Sequence, residues 1–332
     1  MKRRDFMRAA AVGTTAAAAS GAFAEKTIEP SPSKMKYTVL GKTGLKVSRL
    51  AFGSHLSKSN QADPAGRDKQ IQHGIEMGIN FFDIYDHTFG QFPPMSKSLK
   101  NHPDVLISLY MDAKAEGVEK RVDEVLALFG RDHIDCWRTM TEGEEYKKLD
   151  EMIRMKAKGK IRAVGISHHW EEAIVQAIKK YGADLDYIMF PYNFVHNRAT
   201  PNDKQNSYAG FLRLAKQYNY GLIGMKPFCN EMLVDFAKEN GYIGGPKDRG
   251  VSIPAASIRY SLASGAVHCA LPAMNSIREI DENLQGVYQP KLSKLDREVL
   301  EEIDMLAMEK KWAYLEKKPE YAWLAEWVGR GV

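Results

Sequence analysis

The chain predicts a (β/α)8 TIM barrel with an N-terminal β-hairpin cap and a C-terminal helical and aromatic extension, and three observations carry that prediction. Eight short apolar runs recur between residues 49 and 271, each of a length suited to a strand rather than a helix. Amphipathic segments separate them in alternation, the pattern of a parallel sheet whose strands are covered by helices. No G-x-G-x-x-G follows the first run, which disfavours a doubly wound open sheet as the alternative. The 332 residues, 44% hydrophobic, suffice for a large core, and such barrels take about 250 residues as one domain.

The N-terminus is a separate object. Arg3-Arg4-Asp5-Phe6-Met7 precedes an Ala/Gly/Thr-rich run and then Ala22-Phe23-Ala24, a small-x-small cleavage site. This is the pattern of a twin-arginine signal peptide over 1–24, too short and too weakly apolar for a stable membrane span. It predicts an exported protein, periplasmic or extracellular, that meets the twin-arginine export machinery as a partner. Residues 1–24 hold four of the basic residues and one acid, so the formal charge of +5 falls to +2 without them. The basic skew is thus mostly targeting and implies no nucleic-acid partner. Cys136, Cys229 and Cys269 are odd in number and lie in or beside apolar segments, which predicts small buried core residues rather than a disulfide framework.

A polar, Pro-containing linker over 25–35 leads to the barrel, expected over 36–292. Residues 37–40 and 45–48 flank a Gly-bearing turn, a hairpin signal. The strands are then expected at 49–53, 80–83, 105–109, 134–137, 161–166, 187–190, 222–225 and 268–271. Helical periodicity marks 70–77, 95–100, 118–129, 146–158, 171–180, 211–217, 253–262 and 277–283. A last helix at 295–308 precedes a tail carrying Trp312, Tyr314, Tyr321, Trp323 and Trp327, which together make the 293–332 extension. Such a tail is expected to pack over the barrel mouth, the alternative being a partner subunit.

In a barrel every strand delivers its C-terminal end to one mouth, where catalytic groups reside. The stretch GINFFDIYDHTFG, residues 78–90, reads as a buried strand opening into a polar and aromatic loop. Asp83, Tyr85, His87, Tyr110, Arg138, His168, His169, Tyr192 and Lys226 all fall at expected strand ends. So many titratable groups in one concave place exceed what packing requires, because each buried charge is costly unless paired.

KYTVLGKTGLKVSRLAFGS, NFFD, GKIRAVGIS and LPAMNSIREIDEN resemble, in that order, the N-terminal cap and the second, fifth and eighth strand segments of the aldo-keto reductases. The resemblance spans nearly the whole chain after the linker. It implies a nicotinamide coenzyme and a tetrad of Asp, Tyr, Lys and His, in which the Tyr protonates the substrate carbonyl while hydride arrives from NADPH. The physical need is an acid near the developing alkoxide with a cation beside it. Asp83 matches the Asp, but Thr88 and Phe89 stand five and six residues on, where the family's Tyr belongs. Tyr110 takes the Lys position and Met140 the His position. In the nucleotide segment, the Lys-Ser pair and later Arg that hold the 2'-phosphate correspond to Ala273, Met274 and Glu279, while Glu282 and Asn283 are kept. A Glu beside a phosphate is repulsive. Ser167 is kept and His168 replaces the Asn after it; Met189 and Met225-Lys226-Pro227 fall where the nicotinamide ring is met.

The catalytic candidates are therefore Asp83, Tyr85, His87, Tyr110 and Lys226, and the cofactor-binding candidates Ser167, His168, Tyr192, Glu282 and Asn283. Three readings stay open. One is an NAD(P)-linked oxidoreductase on a small carbonyl or sugar-type substrate, with Tyr110 or Tyr85 as acid and Asp83 paired with Lys226. The second is an inactive barrel that binds a small polar ligand. The third is a metal-dependent lyase or hydrolase using Asp83, His87, His168 and His169, although adjacent His168 and His169 diverge in direction and no metal is expected.

Overall fold

The structure, a computed structural model, describes residues 28–55, 64–85, 92–141, 143–195, 208–229 and 231–309. The signal-peptide stretch, His87, Thr88, Phe89 and the aromatic tail lie outside the described residues.

The expected hairpin forms from β1 (Tyr37–Val39) and β2 (Lys46–Ser48), paired antiparallel with Thr38 opposite Val47. Its turn ends on Gly44 in the left-handed region (φ 72°), which glycine adopts without a Cβ clash. Gly41 packs so tightly that a Cβ there would lie 2.4 Å from the Gly221 backbone nitrogen. Leu40, Leu45 and Val47 are buried in the barrel interior with Phe81, Cys136, Tyr187, Met189 and Cys269, so the hairpin plugs the bottom of the barrel.

Eight parallel strands follow: β3 (Phe52–Gly53), β4 (Phe81–Ile84), β5 (Leu106–Tyr110), β6 (Ile134–Thr139), β7 (Ile161–Ser167), β8 (Tyr187–Pro191), β9 (Gly221–Met225) and β10 (Cys269–Leu271). Each pairs with its neighbour in chain order. Parallel bridges Leu50 to Ala270 and Gly53 to Ala273 join the two ends, with Gly53 N donating to Pro272 O at 3.0 Å. The sheet is thereby closed, as eight strands allow.

Around it run α1 (Pro64–Glu76), α2 (Phe92–Leu99), α3 (Val118–Phe129), α4 (Glu145–Ala157), α5 (Glu171–Tyr181), α6 (Ala209–Tyr218), α7 (Met232–Glu239), α8 (Ile253–Ala263), α9 (Ile277–Tyr288) and α10 (Lys294–Glu309). Strand residues alternate between the two cores: Phe81 faces the interior, while Phe82 and Ile84 face the helices. Burying each such side chain contributes about 1.5–3 kcal/mol. Helix α7 was not expected from periodicity; Met232, Leu233, Phe236 and Ala237 join α8 and α10 in a separate cluster beside the barrel. All three cysteines are free and buried. The expected linker region is tied down where described: Ile28 N donates to Gln285 Oε1 at 2.9 Å and Ser31 N to the Tyr288 hydroxyl at 3.1 Å. Among the described residues no helix is long and apolar enough to cross a membrane.

Candidate active site

The register of the sheet places Asp83 opposite Ser108 and Tyr110 opposite Arg138. Asp83 and Arg138 come from alternate strands, β4 and β6, and so meet across the interior in one layer. Arg138 donates from Nη1 to Asp83 Oδ1 at 2.5 Å and from Nη2 to Oδ2 at 3.0 Å, and the Ser108 hydroxyl donates to Oδ1 at 2.7 Å. Both charges are buried, with side chains 5% and 6% exposed, so only this bidentate geometry makes their burial tolerable. Burial is the largest single influence and pushes the Arg138 pKa down, but the charge and hydrogen bond of Asp83, together with Tyr187 and Tyr85, make the net shift upward. The expected pairing of Asp83 with Lys226 does not form, because Arg138 and Ser108 occupy the carboxylate.

Beside this pair, Gly165 on β7 lies in register with both Arg138 and Tyr187. A Cβ on Gly165 would meet the Tyr187 ring at 2.4 Å, so the missing side chain is the slot through which that fully buried ring crosses the interior. Burial drives the Tyr187 phenol far above its usual pKa, against the pull of Arg138. It is a wall of the site, locked as a neutral phenol.

Above this layer two phenols open onto the mouth. The rings of Tyr85 and Tyr110 lie 5.3 Å apart, and the Arg138 guanidinium carbon sits 5.9 Å from the Tyr110 ring centre. Tyr85 follows directly on β4, its amide held by the Ser54 hydroxyl at 3.0 Å. Burial raises the pKa of both, but their charged surroundings differ. The largest charge effect on Tyr85 is the lowering influence of Arg138; on Tyr110 it is the raising influence of Glu145, and burial with Glu145 pushes Tyr110 up to about 12. Glu145 is anchored there by the Thr139 hydroxyl and by Lys148 at 2.6 Å.

His55, at the end of the β3 segment, stands with its ring 6.4 Å from that of Tyr85. Desolvation, then the charge of Lys226, lowers its pKa. Lys226 itself is depressed by burial to about 8, with Cys229 opposing. It has φ 56° and Cys229 φ 50°, left-handed values that cost roughly 1–3 kcal/mol each in a non-glycine residue. Cys229 N and Asn193 Nδ2 both donate to the Lys226 carbonyl, at 3.0 and 3.1 Å, and hold this strained turn. Asp83, Tyr85, Tyr110 and Lys226 are thus gathered at one end of the barrel, joined by His55, Ser108 and Arg138.

The cofactor-binding candidates divide. Ser167 closes β7, its hydroxyl 3.9 Å from the Met140 sulfur. His168 is buried and accepts the Trp170 amide at Nδ1 (3.0 Å), which ties its ring to the local turn. Tyr192 turns away from the mouth: its ring stacks on Tyr260, 6.4 Å between centres, and its carbonyl accepts from Ser261 on α8. Glu282 and Asn283 lie on α9, where Glu282 accepts the Ser252 hydroxyl at 2.8 Å. Asn283 is 2% exposed. At the start of α9 Ser276 caps the helix, with Glu279 N donating to Ser276 Oγ at 3.1 Å, and the Glu279 carboxylate turns back to accept the Asn275 amide, just ahead of the cap, at 2.8 Å. Among the described residues no group of three or more His, Cys, Asp or Glu is placed to hold a metal.

Sequence reasoning missed His55, Ser108 and the Asp83 to Arg138 link. His55 directly follows the first strand segment, RLAFGS, and the barrel rule that strand ends face the mouth was signal enough to find it. The ion pair had no such signal, since it depends on the register between strands far apart in sequence.

A family model described as Aldo/keto reductase family matches residues 49–307. The L-galactose dehydrogenase of Arabidopsis thaliana is 24% identical over 311 residues, covering 82% of this chain and 95% of that protein. The 6-dehydroglucose reductase of Novosphingobium aromaticivorans is 25% identical over 169 residues, 43% of this chain and 55% of that protein. Among solved structures, an aldo-keto reductase of Bacillus halodurans in its apo form superposes with a TM-score of 0.63 at 20% identity. It covers 81% of this chain and 96% of that one, a likeness of fold.

Proposed function

The chain belongs to the aldo/keto reductase family, and from that membership we propose that it is a nicotinamide-dependent oxidoreductase acting at a carbonyl or hydroxyl of a sugar-type substrate. The observation that carries the reading is the Asp83 to Arg138 pair beneath two phenols at the mouth. It supplies a fixed cation next to an acid, the physical requirement named for this chemistry, from a different strand than the family uses. Two relatives whose names describe sugar oxidation or reduction support the substrate class.

The donors present suit a dinucleotide. Asn283 offers a side-chain amide, with both donor and acceptor atoms, to a ligand with matching polar atoms. Glu282 beside it offers an acceptor already positioned by Ser252. Bound there, the coenzyme supplies or accepts a hydride. Tyr85 is the proton donor: its hydroxyl gives a proton to the carbonyl oxygen as the carbonyl carbon receives hydride, and solvent reprotonates the phenolate. Burial, the largest influence, and the Asp83 charge disfavour that phenolate, Arg138 favours it, and Asp83 keeps Arg138 in place. His55 and Lys226 face the substrate side, where hydrogen bonds to hydroxyls orient a sugar.

Coenzyme binding followed by fluorescence, together with turnover of aldohexoses by wild type and Tyr85→Phe, tests the proposal. Saturable binding with turnover lost in the variant supports it. Binding of a sugar with no coenzyme binding would instead favour the inactive barrel.

A further inference from the structure

We infer that Glu279, assisted by Glu231, makes the protein select NAD(H) and reject NADP(H); this rests on the coenzyme reading above and adds the residues that set the choice. The start of a twelve-residue helix such as α9 ordinarily offers free amides and a positive dipole end to an anion. Here the chain places its own carboxylate beside that end. The Asn275 amide is taken by the Glu279 carboxylate and the Glu279 amide by the Ser276 hydroxyl. A carboxylate already lies where the resemblance places a 2'-phosphate.

A second carboxylate reinforces the first. Glu231, on the loop after β9, accepts the Asn275 side-chain amide at 3.4 Å. Its pKa is raised by burial, then by the nearby charges of Glu279 and Asp235, so three acids share one region of negative potential. A phosphomonoester brings about −1.5 to −2 of further charge. An unmodified ribose brings only hydroxyls, for which a carboxylate is a good acceptor, the same logic by which dinucleotide-binding sheets select NAD.

Among the described residues the cation that acts on Glu279 from below is held beneath the surface. Arg67 on α1 acts electrostatically on Glu279, but it is 2% exposed; its Nη1 donates to Met274 O at 2.6 Å and Gln70 Oε1 at 2.9 Å, while Nε and Nη2 are buried without a hydrogen-bond partner among the described residues. Its guanidinium lies 4.8 Å from the Phe52 ring centre, so it fastens the loop to α1 and stays beneath the surface. Ala273 and Met274 carry no donor, and Met274 is fully buried. Arg278 is exposed on the first turn of α9 and is the cation that the test has to separate from the two acids.

The test is titration of purified protein with NADH and with NADPH, by calorimetry or by quenching of tryptophan fluorescence. NADH is expected to bind at least about tenfold more tightly, with the gap widening at low salt, as repulsion between charges requires. Glu279→Gln keeps an oxygen for the Asn275 amide, so the cap survives. Glu231→Gln touches no cap, since the Glu231 side chain makes no capping bond to α7. Each is expected to improve NADPH binding several-fold, to about tenfold for Glu279→Gln, with NADH affinity within about threefold of wild type. Arg278→Ala is expected to leave the ratio of the two affinities unchanged. NADPH binding as tight as NADH in wild type, or an unchanged ratio in both acid variants, overturns the inference while leaving the coenzyme reading intact. Binding of neither nucleotide overturns both.

Discussion

Arg138 and Asp83 form a two-point ion pair across the barrel interior, at 2.5 and 3.0 Å, joining strands that are not neighbours in the sheet. Their side chains are almost fully buried, and Ser108 adds a third hydrogen bond to the carboxylate. The pair is both the rigid floor of the site and its fixed positive charge.

Removing one partner leaves the other charge buried and uncompensated. Asp83→Asn and Arg138→Met are each expected to cost about 3–5 kcal/mol in chemical denaturation. Arg138→Lys is expected to recover part of that at most, since an ammonium does not reproduce the fork geometry. A loss under 1 kcal/mol for both single variants would mean that the pair is not formed.

The two phenols are separable by kinetics. Tyr85→Phe is expected to lower kcat by about 10²–10⁴, the usual worth of a positioned acid. Tyr110→Phe, which removes a phenol held up near pKa 12 by burial and Glu145, is expected to lower kcat less than about tenfold. Coenzyme affinity stays unchanged in both. The reverse order of effects assigns the proton to Tyr110.

Gly165 and Tyr187 share one volume. Gly165→Ala places a methyl 2.4 Å from the Tyr187 ring and is expected to destabilise the barrel by about 1–3 kcal/mol or more, since the ring has a full interior behind it. Trimming the ring with Tyr187→Leu in the same chain should recover part of the loss, so a double-mutant cycle gives a non-zero coupling energy. Strict additivity would place the strain elsewhere.

Lys226 gives a pH signature. Its folded-state pKa, about 8, lies below its ordinary 10.5, so between those values the unfolded chain binds more protons. The burial penalty is full below pH 8 and is relieved as pH rises toward 10.5, so this residue makes stability climb across that window. Lys226→Met should remove the climb. Comparing denaturation midpoints of the two proteins at intervals between pH 7.5 and 10.5, roughly the window set by those pKa values, checks the sign.

The architecture was legible in the sequence because strands buried on both faces read as apolar runs, and the eight runs predicted at 49–271 correspond to β3 through β10. The hairpin was legible from its Gly-bearing turn. Helix α7 escaped because two helices, α7 and α8, separate β9 from β10 where strict alternation expects one. The site was half legible: Asp83, Tyr85, Tyr110 and Lys226 follow from the rule that strand ends meet at one mouth. Their partners do not, because the choice of Arg138 over Lys226 for Asp83 depends on which side chains share an interior layer. Tyr192 shows the same limit, since its position at a strand end did not reveal that its ring packs against Tyr260 on α8.

The central claim is that this barrel moves a hydride while Tyr85 moves the proton, and isotope transfer tests it most directly. NADH carrying deuterium at the transferable position of the nicotinamide is incubated with the purified protein and a panel of aldohexoses and their lactones, and the sugar products are read by mass spectrometry. The account predicts deuterium on the former carbonyl carbon of at least one sugar, at a rate cut by about 10² or more in Tyr85→Phe. Deuterium that stays on the coenzyme with every sugar, in a protein that binds that coenzyme, would contradict it.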